Sequence, residues 1–592
     1  MIKPASPAAD QAIEKPFDWS LLKRLLAYLR PFRGRVILMW LITLVEAGAA
    51  VVLPLLLKIG IDDHIAKHDV AGLWPVAAAF AGIIFLLFAA SRTEGVLLTR
   101  IGYGVLFALR RDLFNHLQTL PFRFFDNRKT GRVMTRLTSD VQVLEELLRG
   151  GLNTLFADVV LLGGIVSMMI VLDARLSLVL LVTVPLFLLV VFILRRRLVT
   201  TARAVQARLG ALNGVLNESI SGVKVIRSFA REEESHAGFK NANGDYYKEA
   251  RKFYPLNAFF WQSVTTVQAL GVALVLLGGG LLLFLNLATV GVIAAFLTYI
   301  TRFFQPLQRL SNLLNQLSRA MASCERIFEI IDQEPEQDDG THPGLPAATA
   351  GRVVFDRVDF SYVPGEPVLS AVSFTVPAGR TAAIIGPTGA GKTTIVNLLC
   401  RFYEPVRGSV RVDGHDARRY ALHDYRARTA IVMQEAVVFS GTVYDNIRFS
   451  RPDATREEVR AVAREMGIDD MFTSLPGGYD TLLGERGSRL SLGQRQLVAF
   501  SRALLRDPAI LILDEASAYI DTATEQMVHQ AMQRLRRGRT TFIIAHRLST
   551  IRDADLILVM RDHTIVESGT HEELLAQSGH YAELLRSQYS TL

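Results

Sequence analysis

A glycine-rich run past the middle of the chain, Gly386-Pro387-Thr388-Gly389-Ala390-Gly391-Lys392-Thr393-Thr394, fits the spacing G-x4-G-K-[ST]. Glycines there let backbone N–H groups converge on phosphate oxygens, because no Cβ holds the ligand away. Lys392 adds a cation, Thr393 brings a hydroxyl able to ligate Mg2+, and a helix starting at this point turns its positive end toward the same phosphates. The apolar strand Ala382–Ile385 before the run and the apolar stretch after it supply the strand–loop–helix setting the motif requires. A second group of chemical residues closes another apolar strand, Ile510-Leu511-Ile512-Leu513-Asp514-Glu515. Asp514 suits orientation of Mg2+ and its water, and Glu515 suits polarisation of an attacking water. Two acids at a strand end are weak alone; with the glycine run they point to a bound nucleoside triphosphate and its hydrolysis.

These residues need a sheet to hold them, and the second part of the chain provides one. Short β-branched runs, Arg352–Phe355, Ala382–Ile385, Ala430–Met433, Ile510–Leu513 and Thr541–Ile544, alternate with helical stretches and read as an α/β domain over 352–592. Pro, Gly and acids at Asp332–Gly351, with little periodicity, read as a linker. Two cysteines, Cys324 and Cys400, exclude a disulfide framework and cannot build a zinc site by themselves.

Residues before the linker follow different physics. The 592-residue chain is 50% hydrophobic with 21% charged residues, too apolar for an ordinary soluble enzyme, and the excess lies early. Six runs approach the roughly 20 apolar residues needed to cross about 30 Å of hydrocarbon: Val36–Leu57, Leu73–Ala90, Leu152–Leu172, Leu176–Leu194, Val264–Leu285 and Ala288–Phe304. One such helix can be buried in a soluble core; six in series cannot all be central. The expected architecture is therefore multi-domain: a polar tail over 1–16 without a cleaved leader, a six-helix all-α transmembrane domain over 17–331, and the α/β P-loop nucleotide-binding domain.

Lys and Arg in the connections set the expected orientation. The segments after spans one, three and five contain only Lys67 and Arg175, whereas ten Lys/Arg lie between Arg92 and Gly151 and Arg195-Arg196-Arg197 close the fourth span. Both termini and the nucleotide-binding domain are then cytoplasmic in an inner-membrane protein. The net charge of +8 follows largely from those loops, and no nucleic-acid partner is expected. The internal connections Ser91–Gly151 and Arg195–Ser263 are each long enough for two helices of ~30 residues reaching about 45 Å from the bilayer. Their tips carry Phe122, Phe124 and Phe125 in one and Ser221-Gly222 in the other, and aromatic clusters at a tip call for a partner surface. Leu21, Leu22, Leu25, Leu26 and Leu29 share one face of Phe17–Leu29, as in a helix lying in the membrane interface.

With these motifs in this order, the chain resembles an ATP-binding cassette (ABC) exporter half-transporter, and the resemblance runs from about Phe17 to near the end. It implies ATP and Mg2+ as ligands and assigns roles position by position. Tyr362, in Phe360-Ser361-Tyr362, resembles the aromatic that stacks on adenine, and Gln434 the glutamine that touches Mg2+ and the attacking water. Leu490-Ser491-Leu492-Gly493-Gln494 resembles the signature that covers the γ-phosphate of the opposite subunit's ATP. Asp521 stands in the place of the D-loop aspartate, and His546 in that of the switch histidine that holds the γ-phosphate. Phe125 and Asp126, Gly222, and Glu485 with Arg486 resemble the segments that couple cassette and membrane domain.

Departures bear on assembly and substrate. Leu492 replaces a glycine of the family signature, and Tyr519-Ile520 replace a shorter-chained pair in the D-loop, while Glu515 and His546 are intact. That combination resembles the subunit of heterodimeric bacterial exporters that supplies the working glutamate, so a second, different half-transporter is the expected partner; a homodimer with a tolerated variant is the alternative. The substrate expectation is a hydrophobic or amphiphilic compound, a drug or a lipid, with membrane lipids as surroundings; a non-transporting regulator or channel subunit is the rival reading. Glu46, expected as the one acid well inside an apolar run, is the substrate candidate, because ionisable groups in a membrane are costly enough to be functional. Glu515→Gln should nearly abolish ATP hydrolysis while nucleotide binding persists; substantial turnover in a phosphate-release assay of that variant would remove Glu515 from its role.

Overall fold

The structure, a computed structural model, describes residues 18–338, 340, 350–514, 522–545 and 547–589. Glu515, Asp521 and His546 lie outside the described residues. The chain divides into two compact units, the first comprising Met1–Gln118 and Thr130–Gln333, the second Thr119–Lys129 and Glu334–Leu592.

The first unit is helical. A short helix, Trp19–Ala27, starts on Asp18, whose carboxylate accepts from Ser20 N at 2.8 Å, and buries Leu22 and Leu25 on one face. Among the described residues, six helical stretches are long and apolar enough to cross a membrane: Arg30–Ile65, Val70–Leu117, Thr130–Leu172, Leu176–Ser221, Glu232–Phe284 and Val290–Arg309. The spans do not stop where their apolar runs stop. Val70–Leu117 is one helix of 48 residues, Val179–Ser221 one of 43 and Glu232–Phe284 one of 53, so at 1.5 Å per residue they measure about 65–80 Å, over twice the hydrocarbon thickness. The polar internal connections are thus continuations of the spans themselves.

Two polar devices hold the first and sixth span helices together. Pro54 sits inside the helix Arg33–Ile59 and has no N–H for the carbonyl one turn before it. Arg302 Nη1 donates to Ala50 O at 2.7 Å, and the hydroxyl of the buried Tyr299 donates to Val51 O at 2.5 Å. Nearer the ends of these helices, Asp62 accepts from Gly291 N at 2.8 Å and Thr289 Oγ1 at 2.5 Å. Further along the sixth helix, the buried Asp140 accepts from Ser323 Oγ and Arg326 Nε, each at 2.9 Å. Its end is clamped by Arg24, which donates to both oxygens of Asp332 at 2.7 and 2.6 Å and lies over the Phe328 ring.

The second unit holds two sheets. Val353–Phe360 (β1), Leu369–Val376 (β2), Arg407–Val412 (β4) and His415–Asp416 (β5) form an antiparallel sheet in the order β2-β1-β4-β5. Thr381–Ile385 (β3), Thr429–Val432 (β6), Ile510–Asp514 (β7), Thr540–Ile544 (β8), Leu556–Arg561 (β9) and Thr564–Gly569 (β10) form the larger one, in the order β10-β9-β3-β8-β7-β6. All its pairings are parallel except β10 with β9. Every residue of β3 and β8 is buried, as expected for parallel strands covered on both faces, which is why they read as unbroken apolar runs. The order β3-β8-β7 brings the C-terminal end of β3, where the glycine run begins, to the same edge as Asp514 at the end of β7.

Candidate active site

The loop after β3 works because two of its glycines have no alternative. Gly386 has φ 150°, and a Cβ there would stand 2.3 Å from Met560 O, on the neighbouring strand β9. Gly391 has φ 99°, and a Cβ would meet Val368 O at 2.9 Å. The helix Lys392–Leu399 starts directly after it, so the loop backbone runs tightly between strands and straight into a positive helix end. Gly389 also has positive φ, 85°, but a Cβ on it would meet nothing within 4 Å, so its side faces open space.

Lys392 folds back over this loop, its Nζ donating to Gly386 O at 2.7 Å and Pro387 O at 2.9 Å. Burial holds its ammonium below the ordinary lysine range, while the charge of Asp514 pulls the other way. Thr393 is exposed on the first helical turn, and Gln434 is exposed two residues after β6. Thr388 and Ala390 complete the loop, Ala390 buried. A cradle closed to side chains at two positions, a cation bridging it, and a hydroxyl with an acid at its edge fit a triphosphate with Mg2+; Thr393, Gln434 and Asp514 are the residues that would hold the ion.

Tyr362 reaches the start of the same helix. Its hydroxyl lies 3.2 Å from Thr394 Oγ1 and accepts from Asn397 Nδ2 at 3.0 Å. Asn397 was not legible as a site residue; one helical turn beyond Thr394, it reads in sequence as an ordinary helix position.

Ser491 to Gln494 begin the helix Leu492–Arg506. Ser491 is its N-cap: the hydroxyl accepts from Gln494 N at 3.2 Å, and the Gln494 amide oxygen accepts from Ser491 N at 2.9 Å. Serine and glutamine three apart form a reciprocal capping box, so both side chains serve the helix start, and Gly493 is buried behind them. Leu492 is partly exposed at the first helical position. Glu485 and Arg486 fall in a single turn, Glu485–Gly487, with Glu485 exposed.

The tip of the first internal loop belongs to this second unit. Phe122–Asp126 forms a short helix in which Phe124 is buried and packs edge-on against the half-exposed Phe125 at 5.2 Å. Gly222, in the first unit, ends the helix Val179–Ser221, and the short helix after it leaves Val223, Val225 and Phe229 exposed.

Glu46 has company that the sequence reading did not supply. Its Oε1 is buried without a hydrogen-bond partner among the described residues, and its neighbouring acid is Glu94. Glu94 also accepts from Asn153 Nδ2 and, at 3.4 Å, from Thr43 Oγ1. Nor is Glu46 alone in its class: Asp158 lies inside the third apolar run and accepts from Arg309 Nη1 at 3.2 Å. The signal was present in Phe156-Ala157-Asp158 but hidden by the length of the run around it.

Known proteins resemble this chain over most of its length. The ABC transporter transmembrane region matches residues 36–307, and the ABC transporter family matches residues 369–518. An uncharacterized ABC transporter ATP-binding protein of Bacillus subtilis, YknV, is 39% identical over 99% of this chain and 97% of its own length. A fatty acid ABC transporter ATP-binding/permease protein of Mycobacterium bovis is 39% identical over 81% of this chain and 76% of its own. A solved bacterial Atm1-family ABC exporter with ATP bound superposes with a TM-score of 0.76 at 30% identity, covering 94% of this chain and 98% of that one. The chain belongs to the ABC transporter family, as an exporter half-transporter with one transmembrane and one ATP-binding domain. It is a multi-pass membrane protein that couples ATP hydrolysis to export.

The glycine geometry makes one comparison decisive. In thermal unfolding without nucleotide, Gly389→Ala should cost only left-handed backbone strain, about 1–2 kcal/mol, whereas Gly386→Ala must also displace Met560 and should lower the midpoint well beyond it. Equal midpoints would show that the loop yields and is not held by β9.

Proposed function

We propose that this chain exports hydrophobic or amphiphilic compounds, drugs or lipids, across the cytoplasmic membrane by alternating access, paired with a second, non-identical half-transporter. The observation that carries the reading is one chain in which the glycine cradle with Lys392 and Asp514 is fused to six apolar helices. ATP on this cradle is completed by the partner's signature, with Glu515 and His546 as the hydrolytic residues and Asp521 at the shared edge. Mg2+ held by Thr393, Gln434 and Asp514 supplies charge neutralisation on the phosphates. Nucleotide that binds only the closed pair tightly shifts the membrane domain toward its outward-open state, and hydrolysis resets it.

Four observations support the finer points. At the start of the signature helix, Ser491 and Gln494 cap each other as acceptors, which leaves the Ser491 O–H and the Gln494 amide N–H groups to face the partner's phosphate, and beside them Leu492 adds an isobutyl group where the family signature has a glycine. This supports a weakened site opposite a working one, hence a heterodimer. Glu46, with a buried oxygen and Glu94 beside it, supports recognition of a cationic group on the cargo. The exposed Val223, Val225 and Phe229 after Gly222, with Glu485 and Arg486, support docking of the internal loops on the cassettes. The basic connections support termini and a cassette on the cytoplasmic side.

Co-purification from the native host followed by ATPase assays in proteoliposomes tests the whole reading. One companion of similar size is expected. Hydrophobic cations should stimulate turnover, and Glu46→Gln should remove that stimulation while sparing stimulation by fatty acids; equal loss of both would take Glu46 out of cargo recognition. Leu492→Gly should change total hydrolysis little in the heterodimer, and a several-fold rise would instead indicate a homodimer with two equivalent sites.

A further inference from the structure

Two consecutive aromatic residues after the phosphate-loop helix grip the tip of the first internal loop. The Phe402 ring stacks on Phe122, with centroids 3.9 Å apart and planes at 24°, and Arg426 lies 5.4 Å from its centroid. Tyr403 OH donates to Asp126 Oδ2 at 2.5 Å. Burial and the Asp126 carboxylate push the Tyr403 phenol well above its ordinary range, so its hydroxyl stays protonated and remains the donor. The other side of Tyr403 faces the nucleotide site: its ring stands edge-on to Tyr362, with centroids 5.0 Å apart and planes at 88°, and Phe360 makes a third edge at 5.6 Å. Tyr362 in turn reaches Thr394 and Asn397 on the phosphate-loop helix.

We propose that Tyr403 is a positioning residue through which the first internal loop, by way of Asp126, sets the orientation of Tyr362 and so the affinity for the adenine of ATP. The inference rests on the reading of Tyr362 as the adenine platform. Its physical basis is that one side chain carries two demands. A displacement of the Phe122–Asp126 helix must either break a hydrogen bond to a carboxylate or turn the Tyr403 ring against two aromatic neighbours in a close-packed cluster, which cannot yield by small steps. Such a cluster has discrete arrangements rather than a continuum. Coupling is reciprocal: nucleotide occupancy must then order the loop tip as much as the loop tip favours nucleotide. This is a connection within one chain, from its own loop to its own cassette, and it bypasses the phosphates.

The test uses the full-length protein in lipid nanodiscs, with the Kd for fluorescent ATP and hydrogen exchange of residues 119–129 as readouts. Tyr403→Phe keeps every ring contact and loses only the donor; it should weaken ATP binding about three- to tenfold and erase the ATP-dependent protection of 119–129. Asp126→Ala should do the same, the double variant should be no worse than either single, and Asp126→Asn, which retains an acceptor oxygen, should bind as the parent does. Unchanged affinity and protection in Tyr403→Phe, additive losses in the double variant, or failure of Asp126→Asn to bind normally would each overturn the proposal. If Asp126→Ala does not fold, Tyr403→Phe and Asp126→Asn decide between them. Tyr362→Ala separates the two levels: normal ATP binding there overturns the adenine reading and the proposal together, whereas weakened binding there with a normal Tyr403→Phe overturns the proposal alone.

Discussion

A carbonyl oxygen that loses its donor inside an apolar helix bundle must be answered from another helix, since no water is at hand to do so. Pro54 creates that situation at Ala50 O in the first span, and the sixth span answers with Arg302; Tyr299, one turn before it, adds a second donor to the adjacent Val51 O. The cost of an unsatisfied backbone group is thereby converted into a fixed register between two helices. Asp62 repeats the register nearer their ends through Gly291 and Thr289, and Asp140 and Arg24 hold the sixth helix further along. Each of these contacts is polar and directional. Apolar packing of Phe296, Phe304 and Val264 around them fills the volume but would tolerate sliding; the polar contacts do not.

The ATP-binding domain applies the same economy to its helix ends. Ser491 and Gln494 satisfy each other's backbone, Thr442 with Asp445 and Thr455 with Glu458 do likewise, and each pair fixes where a helix begins. At the phosphate loop the opposite solution is used. Gly391 starts its helix in a left-handed conformation with no capping side chain, so the first N–H groups are left for a ligand. Whether a helix start is capped by its own side chain is thus decided by a few atoms.

Much of this was legible in the sequence. The phosphate loop and the buried strands before Gly386 and Asp514 are local patterns, set by spacing and apolar runs, and the structure places them on one sheet edge. The span helices were legible by hydropathy, but their true ends were not, because helical continuity past the membrane depends on polar residues with ordinary helix propensity that carry no apolar signal. Long-range pairs were not legible either. Nothing in the order of residues associates Asp126 with Tyr403, Pro54 with Arg302, or Glu46 with Glu94, since each pairing is made by tertiary packing. Asp158 shows the converse error, an acid overlooked because its surroundings dominated the average.

Glu336 and Thr119 are 217 positions apart in the numbering, yet Glu336 N donates to Thr119 O at 2.7 Å, while Glu336 also accepts from Arg426 at 2.8 and 2.6 Å. Two separate passages of the chain are therefore stitched into the same body as β1–β10. A gene fragment cut at residue 352 encodes every strand of that body but omits its lining: the Phe402 ring loses Phe122, Arg426 loses its carboxylate, and Tyr403 loses Asp126. The folded cassette and the cassette as a stretch of coding sequence are different objects. A transplanted or recombined cassette carries its own half of this seam and must find in its new host a loop whose phenylalanine and aspartate match it.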